Sequence, residues 1–237
     1  MSKKAEAREH QQRQTLRTRL VVGLAVLGAA GMVALLLIYP SLTPIGEVAT
    51  PPAVERALAD GRSLGDPRAP VVIEVHTDFQ CPACAVFTEQ VEPRLVTAFV
   101  ETGQARLVFR HFAFLGPESL RAAEASWCAE EQERFWDYHD ILFANRAAEN
   151  RGAFADRRLL AYAETLGLDT AAFETCFSER RYRDAVMAER DTGVQLGVNS
   201  TPTIVVDGQI VQGASERLVP TFEHIAAAVE AALAASP

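Results

Sequence analysis

One stretch constrains this chain more than any other: nineteen residues without a charge, Leu20 to Ile38, LVVGLAVLGAAGMVALLLI. Wound as a helix it is about 28 Å long at ~1.5 Å per residue, close to the ~30 Å hydrocarbon core of a bilayer. Lys3, Lys4, Arg8, Arg13, Arg17 and Arg19 precede it, against Glu6 and Glu9. That local excess of +4, in a chain of net charge −8, leaves −12 for everything beyond. The positive-inside rule then keeps the N-terminus in the cytoplasm and puts the rest of the chain across the membrane. A cleaved signal peptide has a shorter apolar core, roughly 7–15 residues, followed at once by a small-residue site. Here the segment is longer and runs into Tyr39-Pro40. The expectation is a cytoplasmic basic tail over 1–19 and an uncleaved transmembrane anchor over 20–38. Cleavage, the alternative, exports the domain equally.

Residues 39–61 hold four prolines and little periodicity, and read as a linker to a domain over 62–237. That domain is acidic and lacks a basic stripe, which argues against nucleic acid or anionic lipid as a partner. No dimerisation stem is visible, so a monomer is expected.

Val71-Val72-Ile73-Glu74-Val75 is an apolar run bounded by Gly65-Asp66-Pro67 and Pro70, and predicts a buried strand. Cys84, Phe87, Val91, Leu95 and Ala98 then recur at helical steps, with Pro93 expected to kink that helix. Ala105 to Phe109 predicts a second strand. Residues 117–198 read as helical almost throughout, with Leu120, Ala123 and Trp127 on one face and Phe135, Tyr138 and Leu142 on another. Thr203-Ile204-Val205-Val206, Asp207-Gly208 and Gln209-Ile210-Val211 spell a β-hairpin, and an amphipathic helix is expected from about Ser215 to Leu233. A β-α-β unit and a β-β-α unit sharing one sheet, with helices inserted between them, make an α/β fold.

Cys81-Pro82-Ala83-Cys84 falls where the first strand gives way to a helix. Unpaired N–H groups and the helix dipole favour a negative charge there, so Cys81 should ionise more readily than a free cysteine. Pro82 suits the first turn, where its missing N–H costs nothing. Cys84 lies one turn on, on the apolar face and close enough to bridge. The asymmetry makes Cys81 the attacking and leaving sulfur and Cys84 the resolving one. A zinc knuckle needs four ligands, and Cys128 and Cys176 are isolated singletons. A purely structural Cys81–Cys84 bridge closes too little chain to contribute much stability. Redox chemistry is the reading that remains, and it needs no cofactor and no metal. Asp191-Thr192-Gly193 resembles an aspartic-protease tripeptide but has no second copy. His111 and His139 are expected to be packing or surface residues.

The stretch Gly65-Asp66-Pro67…Val71-Val72-Ile73…Asp78-Phe79-Gln80-Cys81-Pro82-Ala83-Cys84 resembles the DsbA-like branch of the thioredoxin superfamily. So do Phe135-Trp136-Asp137-Tyr138-His139-Asp140 and Gly197-Val198-Asn199-Ser200-Thr201-Pro202-Thr203. The resemblance is closest to membrane-anchored bacterial members. It implies a thioredoxin fold with an inserted helical domain, here preceded by one N-terminal transmembrane helix, and extracytoplasmic disulfide chemistry. It also implies a cis peptide before Pro202, with Thr201 facing the CxxC and its backbone receiving substrate. Exported cysteine-containing proteins would be substrates, and a DsbB- or VKOR-like membrane protein the re-oxidising partner. Such proteins commonly carry a buried Glu six residues before the first Cys; here Val75 stands there. Glu74 and His76 should point to the opposite face, leaving Asp78 as the remaining carboxylate near the site. If Cys81 pairs with Cys84, the other two cysteines can pair only with each other. Some relatives of this type resemble such an arrangement in carrying a second, structural bridge; two buried free thiols are the alternative. The expectation is a disulfide-forming oxidase acting through the Cys81-Cys84 pair; a reductase or isomerase of exported disulfides, and a non-catalytic tethered binding domain, are the alternatives.

Overall fold

The computed structural model describes residues 19–35, 45–56, 58–213 and 219–235. The chain forms two compact units, Met1–Gly46 and Glu47–Pro237. In the first, residues 19–35 form one helix, α1, apolar on every side. Among the described residues no helix is long and apolar enough to cross a membrane. Residues 36–38 of the expected anchor lie outside the described residues.

The second unit begins earlier than the sequence suggested. Residues 47–56, expected as linker, belong to it. The Ala49 N–H donates to Asn145 Oδ1 at 2.9 Å, and the Arg56 guanidinium donates twice to Asp140, at 2.8 and 3.0 Å. Two short strands follow, β1 (Ala59–Asp60) and β2 (Ser63–Leu64), and then β3 (Val71–Thr77), two residues longer than its apolar run. Next come α2 (Pro82–Gln90), α3 (Glu92–Leu95), a π-helical turn (Val96–Val100) and β4 (Ala105–His111). The helix breaks at Val91, whose φ of −109° leaves the helical range, rather than at Pro93. Pro93 falls in the first turn of the resumed helix, where a missing N–H costs nothing.

Five helices make the insertion: α4 (Pro117–Glu130), α5 (Phe135–Ala144), α6 (Asp156–Thr165), α7 (Thr170–Ser178) and α8 (Arg183–Gln195). The chain returns through β5 (Thr203–Val206) and β6 (Gln209–Ile210), joined by Asp207-Gly208 with φ of 45° and 78° at the turn. The last helix, α9 (Phe222–Ala235), starts later than expected; residues 214–218 lie outside the described residues and 219–221 are not helical.

The sheet order is β1-β2-β4-β3-β5-β6, with β3 and β4 parallel and β3 and β5 antiparallel. This is the α/β thioredoxin arrangement with a helical insertion. Alternation sends Val71, Ile73 and Val75 into the core, each at most 1% exposed, together with Phe87 and Leu95 beneath them and Ile225 and Val229 of α9. Glu74 turns the other way and pairs with Arg110, while His76 is buried against Phe112 and Gly193 of α8. Gly193, from the protease-like tripeptide, is a packing glycine: a Cβ there would meet the Phe112 ring at 2.9 Å. Cys128 of α4 and Cys176 of α7 are bridged, with Cα atoms 5.9 Å apart and a sequence separation of 48. Both are completely buried, and the bridge ties the first helix of the insertion to its fourth.

Candidate active site

Cys81 is the N-cap residue of α2 and Pro82 its first helical residue. An N-cap side chain ordinarily supplies an acceptor to the free N–H groups two and three residues on. Here a cysteine stands at that position and makes no capping hydrogen bond, although the nearby N–H groups favour its charge. The Cys81 thiol is drawn down to about 6, first by a hydrogen bond from the Cys84 thiol, opposed by burial, and then by the Thr201 hydroxyl and the backbone N–H groups of Cys84 and Ala83. The Thr201 hydroxyl is buried without a well-aligned partner, so its contact with the sulfurs is a loose one. Cys84, 1% exposed, goes the opposite way: burial, and the negative charge that Cys81 takes on, push it well above its ordinary value. One sulfur is therefore a ready thiolate and the other a proton-holding thiol. Both are free cysteines here.

The Thr201-Pro202 peptide is cis. β5 follows at once and pairs with β3, placing Thr203 opposite His76. That register carries the proline loop to the CxxC, and the Cys81 thiol donates to the Thr201 carbonyl at 3.3 Å. Cys81, Cys84, Thr201 and Pro202 are thus brought together by the fold.

Asp78, Phe79 and Gln80 hold the loop that presents Cys81, and each does so differently. Asp78 is 1% exposed and all of its acceptor capacity is engaged. Its Oδ1 accepts from the Gln80 N–H at 2.8 Å and the Ser119 hydroxyl at 2.7 Å. Its Oδ2 accepts from the N–H groups of Phe114 and Leu115 at 2.9 and 3.1 Å. Its carbonyl accepts from the Cys81 N–H at 3.0 Å. The geometry gives Asp78 a loop-holding role, and its carboxylate bonds neither thiol. Phe79 enters an aromatic cluster, 5.3 Å from both Phe109 and Phe143 and 6.0 Å from His139. Gln80 reaches the insertion, donating to Ser119 at 2.8 Å and accepting from the Asn150 N–H at 2.6 Å. Asn150, at φ 53°, fills the space over Gly116, where a Cβ would lie 2.4 Å from its amide.

Ser119 and Asn150 were not readable in advance. They lie 39 and 70 residues from Gln80, and nothing in their local sequence marks them. Phe112 and Ala113 are buried, while Phe114 is 43% exposed. His111 and His139 are both buried in bonded networks, to Glu189 and Ser126 and to Asp140 respectively. Among the described residues no cluster of three metal-ligating side chains exists.

Fold and site together are of thioredoxin type, a CxxC at a helix N-terminus beside a cis-proline loop. The family model described as Thioredoxin matches residues 58–230, so the chain belongs to the thioredoxin family. Disulfide bond formation protein D of Bacillus subtilis is 26% identical over 153 residues, covering 63% of this chain and 68% of that protein. The structure of oxidised BdbD from Bacillus subtilis superposes with a TM-score of 0.65 at 22% identity, covering 73% of this chain and 93% of that one, and so shows the same DsbA-like fold. The Na(+)/H(+) antiporter NhaA 3 of Salinispora tropica is 34% identical over 174 residues, 73% of this chain. The chain spans only 24% of that antiporter's length.

Proposed function

We propose that the protein is a membrane-tethered, extracytoplasmic oxidase that introduces disulfides into exported proteins through Cys81 and Cys84. One observation carries the reading: the two thiols of a single CxxC are driven apart, Cys81 to about 6 and Cys84 well above its ordinary value. A cysteine whose thiolate is favoured is a good leaving group, and a stable reduced form makes the oxidised form a stronger oxidant.

In the oxidised enzyme a substrate thiolate attacks Cys81 Sγ. The Cys81–Cys84 bond breaks, the electron pair leaves on Cys84, and Cys84 takes up a proton in its buried site. A second substrate thiolate then attacks the substrate sulfur of the mixed disulfide and releases Cys81 as a thiolate. The substrate has lost two electrons and two protons; the enzyme dithiol holds both electrons and one proton, and the other proton enters solvent. The Cys84 thiol and the N–H groups of Ala83 and Cys84 hold the departing Cys81 thiolate. With Val75 inside the core at 1% exposure, no carboxylate stands in the family's usual place to serve Cys84, so water is the proton carrier in this scheme.

The charge-free segment and the basic tail before it support the location, and the name of the Bacillus subtilis relative supports the forming direction. Re-oxidation of Cys81 and Cys84 by a DsbB- or VKOR-like membrane protein completes the cycle. Oxidative refolding of a reduced, denatured disulfide protein tests the proposal: the wild-type chain should restore activity and Cys81→Ser should not. Refolding at an undiminished rate by Cys81→Ser would overturn it.

A further inference from the structure

A groove of about 1030 Å³ runs along α2 and α3, and neither cysteine lines it. Its walls are apolar: Val54 and Leu58 from the segment before β1, Pro93 and Val96 from α3 and the turn after it, and Phe143 from α5. Val54 and Leu58 keep 51% and 47% of their surface exposed there, so the segment leans over the groove without closing it.

Glu92 is set into this groove. It is 4% exposed, and its carboxyl makes no hydrogen bond and no ion pair with any described residue. Arg56, which also lines the groove, favours the Glu92 charge only through space, being bonded twice to Asp140 and lying 5.1 Å over the Trp136 ring. His139, also close, uses Nδ1 on Asp140, and its buried Nε2 has no partner. Arg56 and Asp140 line the groove as a pair, and its remaining ionisable residues, Glu55, Glu89 and Glu101, are acidic. An unpartnered buried acid is costly whether charged or neutral, and burial pushes Glu92 upward. The charges of Arg56 and His139 offset that cost only through space, and the acid faces an open, largely apolar-walled space of ligand size. An inorganic cation does not suit it, because among the described residues no three metal-ligating side chains come together around one point.

We propose that this groove binds a small organic cation, a protonated amine on an apolar body, with the amine paired to Glu92 and the body laid along Val54, Pro93 and Phe143. Such a ligand satisfies the orphaned carboxyl and covers the exposed apolar wall in one step.

The probes are 4-phenylbutylamine and its neutral counterpart 4-phenylbutanol, titrated by calorimetry into the full-length protein in zwitterionic lipid nanodiscs, with empty nanodiscs subtracted. The amine should bind saturably and at least about tenfold more tightly than the alcohol, a difference of ~1.4 kcal/mol. Glu92→Gln should remove that preference, lowering amine affinity to that of the alcohol, while Glu92→Asp keeps part of it. Val96→Trp, which fills the groove and leaves Glu92 in place, should weaken both probes. Equal binding of amine and alcohol to the wild type would overturn the proposal. So would undiminished amine binding by Glu92→Gln, or no saturable binding to the wild type at millimolar amine.

Discussion

The Sγ of Cys81 and the carbonyl oxygen of Thr201 stand 3.3 Å apart, although 120 residues separate them in sequence. The contact fixes which part of the protein a substrate meets. A sulfur joined to Cys81 must lie beside the Thr201 backbone, and the Thr201 hydroxyl touches both active-site sulfurs loosely. Thr201→Val keeps the backbone and removes the hydroxyl. It should raise the Cys81 ionisation midpoint by up to about one pH unit, read from thiolate absorbance near 240 nm.

In the wild type that absorbance should titrate with a midpoint of about 6 and give one thiolate below pH 8. Cys84 should contribute none in this range, since burial holds its thiol neutral. Cys84→Ala removes the strongest donor to the Cys81 thiolate and should move the midpoint upward.

The same displacement sets a pH dependence of stability. Cys81 is depressed to about 6 from an ordinary value of 9.0, so ionisation favours the folded reduced chain over its unfolded form. The gain is fully present above pH 9, shrinks as pH falls, and is gone below about 6. Cys84 opposes it only above its ordinary range, where the unfolded chain ionises and the buried thiol does not. The oxidised protein has neither thiol. Denaturant midpoints of reduced relative to oxidised protein should therefore rise from pH 6 to pH 8.5; a flat difference would contradict the Cys81 assignment.

Asp78→Ala strips the acceptor from three backbone N–H groups and the Ser119 hydroxyl at once. The expected loss is about 3–5 kcal/mol, because buried donors are left unsatisfied. Denaturant unfolding measures it. Asp78→Asn, which keeps one carbonyl oxygen, should lose less.

The Cys128–Cys176 bridge closes a long loop across the insertion, with 48 residues of separation. Replacing both cysteines by Ala should cost about 2–5 kcal/mol in unfolding experiments. The Cys81 midpoint should stay where it is, since the bridge lies in α4 and α7 and touches neither active-site sulfur.

Much of this was legible in the sequence because the signals were local. The strand before Cys81, the Asp207-Gly208 turn and the helical spacing through Cys84, Phe87 and Leu95 each depend on a few neighbouring residues. Cys81 at a helix N-terminus followed from the same local reading, and so did Cys84 one turn on, whose thiol does most to lower the Cys81 ionisation point. The Thr201-Pro202 geometry came from likeness to a family, because a cis bond leaves no mark in composition. What the sequence could not supply was long-range. Gln80, Ser119 and Asn150 meet only after the insertion folds back over the CxxC loop. Pro51 to Leu58 look like a proline-rich spacer, yet Arg56 and Asp140 draw that segment onto the domain across 84 residues. Pro93 suggested a kink at its own position, whereas the chain breaks before it and resumes with the proline in a first turn.

The direction of electron flow is the central claim, and the reduction potential of the Cys81–Cys84 couple tests it most directly. Equilibrating the protein with glutathione buffers of stepped ratio, then trapping thiols and counting them, gives that potential. The oxidase reading predicts a value well above ~−270 mV and toward ~−120 mV, the range of dedicated oxidants. A value at or below ~−270 mV would mean that the dithiol is held oxidised too firmly to pass its disulfide on, and would contradict it.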